Sequence, residues 1–187
     1  EGNSSTKEVT SMDTPMSIAG FTLMSLMFKV RDFFRPRMDV LKEAGIEAGF
    51  YVLDYGCGPG SYIVPLAEFV GPSGKMYALD IQPLAIQAAR KIAARHGIEN
   101  LETIESDCHT GLPENHVNVV LLYDTFHDLS HPDDVLRELH RILKPGGTLS
   151  FSDHHMQEHE ILTRVTNTGM FTLSKKGKNT YSFSKVG

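Results

Sequence analysis

The chain has 187 residues, 41% hydrophobic and 22% charged, with a formal net charge of −5 and two cysteines. That length fits about one domain. It suffices for a hydrophobic core without disulfides or a structural metal, so a small disulfide-stapled scaffold is excluded. The composition also excludes collagenous, coiled-coil and disordered chains, and the negative charge argues against broad nucleic-acid binding.

Residues 1–20 are rich in Ser, Thr, Pro and Met without periodicity and read as a loose arm. The segment Thr14 to Phe28 has no charge. At fifteen residues it is shorter than the roughly 20 that a membrane span needs. It also reads poorly as a signal peptide, lacking a basic start and a small-residue cleavage site. From Leu23 to Ala44, apolar residues recur at helical spacing with Pro36 as a break, predicting one or two amphipathic helices.

The period then changes. Tyr51-Val52-Leu53-Asp54-Tyr55 predicts a strand entering the turn Gly56-Cys57-Gly58-Pro59-Gly60. Ser61 to Val70 predicts a helix, and Lys75 to Ile81 a second strand. Pro83 opens a helix at its first position and Gly97 stops it. Leu101 to Glu105 is a third strand, and the unbroken apolar run Val117 to Tyr123 is a fourth, buried on both faces. Ser130 is the expected cap of the next helix, which Lys144-Pro145-Gly146-Gly147 ends. Thr148 to Ser152 is a fifth strand, Glu158 to Asn167 a helix, and Met170 to Ser174 with Thr180 to Val186 a closing hairpin. Strands alternating with helices predict an α/β, three-layer, Rossmann-like fold, its sheet mostly parallel with an antiparallel hairpin at one edge.

Charge is unevenly spread. No Lys or Arg occurs between Arg95 and Arg137, while both ends are basic. A solvated surface explains this; a cationic ligand near the acidic middle is the sharper reading. The turn has the spacing Gly-x-Gly-x-Gly, not the dinucleotide Gly-x-Gly-x-x-Gly. Asp54 leads it, which suits a ligand carrying an ammonium group better than a pyrophosphate. Asp80 ends the second strand, where an acid can accept both hydroxyls of a ribose. Asp107 follows the third strand, placed to accept from an exocyclic amine. Tyr123-Asp124-Thr125-Phe126-His127 ends the fourth. All of these fall on the carboxyl edge of one sheet, where such folds bind ligands.

With those residues in view, the chain resembles the class I S-adenosylmethionine-dependent methyltransferases. Val52 to Gly60 matches that family's first motif, Ala78-Leu79-Asp80-Ile81 its second acidic strand end, Ser106-Asp107-Cys108 its adenine-contact motif, and Leu143 to Leu149 its approach to the fifth strand. The resemblance covers about residues 35–187 and is nearest the small ubiquinone/menaquinone-type group. It implies a seven-stranded fold and transfer of a methyl group from S-adenosylmethionine, leaving S-adenosylhomocysteine. It further implies that Gly56, Gly58 and Gly60 admit the methionine part of the cofactor and that Asp54 holds its amino group. Asp80 would take the ribose, Ile81 would pack on adenine, Asp107 and Cys108 would contact its edge, and Tyr123 would border the site.

Asp124 and His127 are the candidate catalytic residues. Imidazole titrates near neutrality, which suits a general base; the alternative for each is a loop-holding role. Asp153, His154, His155 and His159 raise a metal hypothesis with Asp124, but the pattern of the magnesium-dependent catechol-type enzymes is incomplete, and no metal is expected. The expected acceptor is a small molecule, with nucleic acid disfavoured. Alternatives are a protein or tRNA acceptor, or a non-catalytic module that only binds the cofactor. Residues 1–48 are read as an arm plus a helical lid, and 49–187 as the methyltransferase domain. Its basic residues leave membrane-surface contact as a minor option. A cytoplasmic location is expected, and monomer or homodimer is left open.

Overall fold

The computed structural model describes residues 17–23 and 37–187. Residues 1–16 of the expected arm, the apolar residues from Met24 to Phe34 and the basic residues Lys29, Arg31 and Arg35 lie outside them. Residues 18–23 are helical, so helix begins earlier than periodicity suggested. The reason is local: Ser17 Oγ accepts the Gly20 amide at 3.2 Å, the role of an N-cap.

The elements that follow are α1 (Arg37–Glu43), β1 (Tyr51–Tyr55), α2 (Ile63–Val70), β2 (Lys75–Asp80), α3 (Pro83–His96), β3 (Leu101–Glu105) and β4 (Val117–Tyr123). A short 3-10 turn (Phe126–Asp128) leads to α4 (Pro132–Ile142), β5 (Leu143–Ser152), α5 (Glu158–Thr166), β6 (Phe171–Lys176) and β7 (Tyr181–Lys185). The seven strands form one sheet in the order β3-β2-β1-β4-β5-β7-β6. β1 to β5 are parallel, and β7 pairs antiparallel with both β5 and β6. The α/β fold with an antiparallel closing hairpin is as expected.

The sheet is covered on both faces, which is why its central strands read as continuous apolar runs. Leu53, Tyr55, Leu79, Val120 and Leu122 point to the side of α4 and α5, where they meet Leu136, Leu139, Ile161 and Val165. Val52, Met76, Val119 and Leu121 point the other way, to Leu41 of α1 and Leu66 and Val70 of α2. Phe151 and Phe183 are fully buried; each contributes roughly 1.5–3 kcal/mol of burial energy.

Two local expectations are corrected. α4 starts at Pro132 with His131 in the cap position and no side-chain cap bond, so Ser130 is not its N-cap. Proline, whose missing N–H costs nothing at the first helical position, sets the start instead. Lys144-Pro145-Gly146-Gly147 is not a linker between helix and strand. It lies within β5, which starts at Leu143 directly after the helix. The register to β4 jumps from Val117–Leu143 to Val119–Thr148, so these four residues bulge out of the ladder, where proline is tolerated.

Glu43, at the end of α1, ties that helix to the β6–β7 turn. Its carboxylate accepts the Asn179 and Thr180 amides, each at 2.9 Å, and the Thr180 hydroxyl at 3.0 Å. Burial opposes ionisation of Glu43, but these hydrogen bonds outweigh it and lower its pKa.

Candidate active site at the carboxyl edge of the sheet

Parallel register brings the predicted residues to one edge. Tyr55 stands beside Leu79 and Leu122, Asp80 beside Glu105, and Tyr123 beside Ser152. The segments after those positions hold the glycine turn, Ile81, Asp107, Asp124 and Asp153.

In the glycine turn, Gly56, Gly58 and Gly60 have φ of 78°, 51° and 83°, the left-handed region that side chains avoid. Space is also short. A Cβ on Gly56 would lie 2.8 Å from Thr125 Cγ2, and one on Gly60 2.8 Å from both Ile63 and Ile92 Cδ1. The turn is fastened to β2: the Gly58 amide donates to Asp80 Oδ2 at 2.8 Å. Asp80 Oδ1 accepts the Gln82 amide at 2.8 Å. Burial pushes the Asp80 pKa up, and hydrogen bonds from the Gln82, Gly58 and Ile81 amides oppose that. Each carboxylate oxygen can accept a further bond.

Asp54 is buried at the head of the turn. The Cys57 thiol is pushed well up, first by burial and then by the negative charges of Asp54 and Asp80. It is therefore an inert thiol within a negative field. Asp107 is exposed and Cys108 half-buried, its thiol raised by burial and by the nearby Glu138 and Asp107 carboxylates. Tyr123 is buried against Tyr62, and its hydroxyl pairs with Ser150 at 2.7 Å, so it packs in the core beneath the edge.

Asp124 and His127 belong to a crossed clasp between the loops after β4 and β5. Asp124 Oδ1 accepts the His154 amide at 3.1 Å and lies 2.7 Å from His154 Nδ1. Asp153 Oδ2, in turn, accepts the His127 amide at 3.1 Å and lies 2.9 Å from His127 Nδ1. Each carboxylate grips one residue of the opposite loop through both backbone and ring. Asp153 also accepts the His155 amide at 3.1 Å through Oδ1, and its side chain is fully buried. The His155 ring lies 4.2 Å from that of His127 and 3.9 Å from that of His154, centroid to centroid. His159 is exposed on α5. Among the described residues no group of three or more His, Cys, Asp or Glu side chains is arranged to hold a metal ion.

Two contributors, Thr125 and the Tyr55 hydroxyl, were not singled out from the sequence, and Phe21 was read only as part of an apolar N-terminal segment. Thr125 occupies the space a Gly56 side chain would need. The Tyr55 hydroxyl donates to the Asp107 carbonyl at 2.6 Å, tying the end of β1 to the loop after β3. Phe21 is buried with Cys57, Ile63, Ala78, Ala85 and Ala89, so residues 18–23 rest beside the glycine turn.

Comparison with known proteins agrees with this geometry. A family model described as a methyltransferase domain matches residues 46–184. The chain belongs to that methyltransferase family. A demethylmenaquinone methyltransferase of Geobacillus stearothermophilus is 28% identical over 130 residues, covering 69% of this chain and 56% of the relative. A ubiquinone/menaquinone biosynthesis C-methyltransferase of Ectopseudomonas mendocina is 29% identical over 131 residues, covering 69% of this chain and 51% of the relative. The chain thus spans about half the length of these curated relatives. The crystal structure of a SAM-dependent methyltransferase from Aquifex aeolicus superposes with a TM-score of 0.69 at 30% identity, covering 79% of this chain and 87% of that one. These matches place the chain in the class I S-adenosylmethionine-dependent superfamily.

The residues present fit that cofactor. Asp54 and Asp80 give the glycine turn the negative field that a sulfonium and an ammonium group require. The partly buried Asp80 carboxylate retains acceptor capacity for hydroxyl groups.

Proposed function

We propose that this chain transfers a methyl group from S-adenosylmethionine to a small acceptor bearing a hydroxylated ring, as a quinol does. The observation that carries the reading is the bond from the Gly58 amide to the Asp80 carboxylate. It fixes the glycine turn against a partly buried acid at the edge where α/β sheets bind ligands. The quinone-directed names of the relatives support the acceptor class.

When bound, S-adenosylmethionine supplies an electrophilic methyl on a cationic sulfur. The work of the protein is to position and to exclude water, and orientation alone can be worth roughly 7–11 kcal/mol. Gly56, Gly58 and Gly60 let the backbone approach the methionine part. Asp54 offsets its amino group, and Asp80 accepts from the ribose hydroxyls. Ile81 packs on the adenine, with Asp107 and the Cys108 amide at its edge. Tyr123 supports the floor. Asp124 and His127 face the acceptor side. The segment 18–23 covers the pocket, a role that the Phe21 contact supports. Among the described residues no helix is long and apolar enough to cross a membrane, and two free cysteines fit a reducing, cytoplasmic location.

Calorimetry with S-adenosylhomocysteine tests the first half. Binding is expected, and Asp80→Ala should weaken it at least tenfold; equal affinity in the variant would defeat the ribose assignment. Transfer of labelled methyl to 1,4-dihydroxynaphthalene, kept reduced, tests the second.

A further inference from the structure

The crossed clasp leaves one imidazole uncommitted. His127 meets Asp153 at Nδ1, 2.9 Å away, and Asp128 at Nε2, 3.2 Å away. His154 meets Asp124 at Nδ1. His155 differs. Asp153 Oδ1 accepts its amide at 3.1 Å, and among the described residues neither of its ring nitrogens has a hydrogen-bond partner. The residue is exposed, yet its ring is not loose. It lies between the His127 ring at 4.2 Å and the His154 ring at 3.9 Å, tilted by 40° and 43°. Carboxylates orient both of those neighbours, and the fully buried Asp153 side chain holds the His155 amide. An exposed side chain ordinarily gives up rotamer freedom when it binds a partner; this one is ordered beforehand. Open polar atoms on a ring locked by packing and by hydrogen-bonded neighbours are what a preorganised binding group requires.

The place of the ring is equally specific. Thr125 abuts the position of a Gly56 side chain in the glycine turn. His127 follows two residues later, and the His155 ring rests on that of His127. The open nitrogens thus stand where the loops after β4 and β5 meet. Resting on the proposed acceptor class, we propose that His155 binds a hydroxyl of the acceptor ring and so sets how that ring lies against the cofactor site. A neutral imidazole carries one N–H and one bare nitrogen. It therefore meets a hydroxyl in either sense, donating to the oxygen or accepting from the O–H. No proton changes owner in this contact; His155 holds and orients the acceptor. A ring without oxygen gains nothing from those nitrogens, so the residue sorts acceptors by their hydroxyl groups.

Two measurements on the full chain decide the matter. The first is nitrogen-detected NMR of the histidine rings in the chain loaded with S-adenosylhomocysteine, which needs no turnover. Saturation with reduced 1,4-dihydroxynaphthalene should shift the His155 ring nitrogens more than those of His159, which is exposed on α5. Binding of the diol, seen by calorimetry, with His155 unshifted overturns the role. The second is methyl transfer to the same diol. His155→Ala should keep a cooperative thermal melt and raise KM about tenfold, with a much smaller fall in kcat. His155→Asn, which keeps a side-chain N–H, should recover part of that loss. An unchanged KM in His155→Ala overturns the role and spares the acceptor reading. So does an equal loss of S-adenosylhomocysteine affinity, the mark of a ring that only supports its loops. A parent that binds S-adenosylhomocysteine yet neither binds nor methylates a hydroxylated ring defeats the acceptor reading, and the role of His155 with it.

Discussion

Asp124 on the loop after β4 holds His154 on the loop after β5, one carboxylate oxygen meeting both the amide and Nδ1 of the histidine. Asp124 does so from a left-handed backbone with φ of 52°, a conformation that Asp and Asn reach more readily than other side-chain-bearing residues. The pair should therefore be visible in a double-mutant cycle. Asp124→Asn, His154→Ala and the double variant are expected to give a coupling of about 0.5–1.5 kcal/mol by urea unfolding. The lower half of that range is the better expectation, because the His154 side chain is half exposed. A coupling of zero would mean that the two loops hold their places independently.

Gly56 and Gly111 share a left-handed backbone but differ in surroundings. A Cβ at Gly111 meets nothing within 4 Å, whereas one at Gly56 runs into Thr125. Gly111→Ala should cost only the backbone strain, about 1–2 kcal/mol. Gly56→Ala should cost a further 1–3 kcal/mol, roughly, as the Thr125 side chain is forced aside. It should also abolish S-adenosylhomocysteine binding. Thermal melts and calorimetry on the two variants separate strain from crowding.

Glu138 should govern stability in acid. Burial acts against its charge, but hydrogen bonds from Arg141 and Thr110 outweigh it and bring its pKa down to about 2 from 4.5. The folded carboxyl thus holds its proton more weakly than the unfolded one. Its stabilisation is complete above about pH 4.5 and is lost as pH falls towards about 2. The loss should reach about 3 kcal/mol. Glu138→Gln should be less stable at pH 7 and show a flatter profile across that window. Urea midpoints from pH 2.5 to 6 are the check.

Phe21 gives the segment 18–23 its hold on the glycine turn. Phe21→Ala should weaken S-adenosylhomocysteine binding about tenfold, near 1.4 kcal/mol, mostly through faster release. Leu23→Ala should change nothing, since that side chain is 62% exposed. Stopped-flow dissociation of the two variants decides whether the segment covers the site or merely neighbours it.

The order of elements was legible because glycine and proline punctuate this chain and because buried strands read as apolar runs. Asp80 and the glycine turn were legible because one strand end and one turn carry their own local signal. What escaped was set by neighbours distant in sequence. Ser130 looks like a cap, yet Pro132 fixes the start of the helix. Lys144-Pro145-Gly146-Gly147 looks like a stop, yet pairing with β4 draws it into a strand. Thr125 matters only because β4 ends beside β1. The histidines after β5 were conspicuous, but their pairing with Asp124 and His127 depends on Tyr123 and Ser152 standing side by side, a register no local pattern encodes.

β7 lies between β5 and β6 although it follows both in the chain. While the chain is being synthesised, β5 has no partner on that side and β6 has none at all until residues 181–185 emerge. The Glu43 carboxylate waits equally long for Asn179 and Thr180. A ribosome paused shortly before the end of this segment would thus hold a chain with an open edge at β5, vulnerable to pairing with another copy. The last strand of the sheet acts as the closing step of assembly, and both the solubility of the nascent chain and the seating of α1 depend on it.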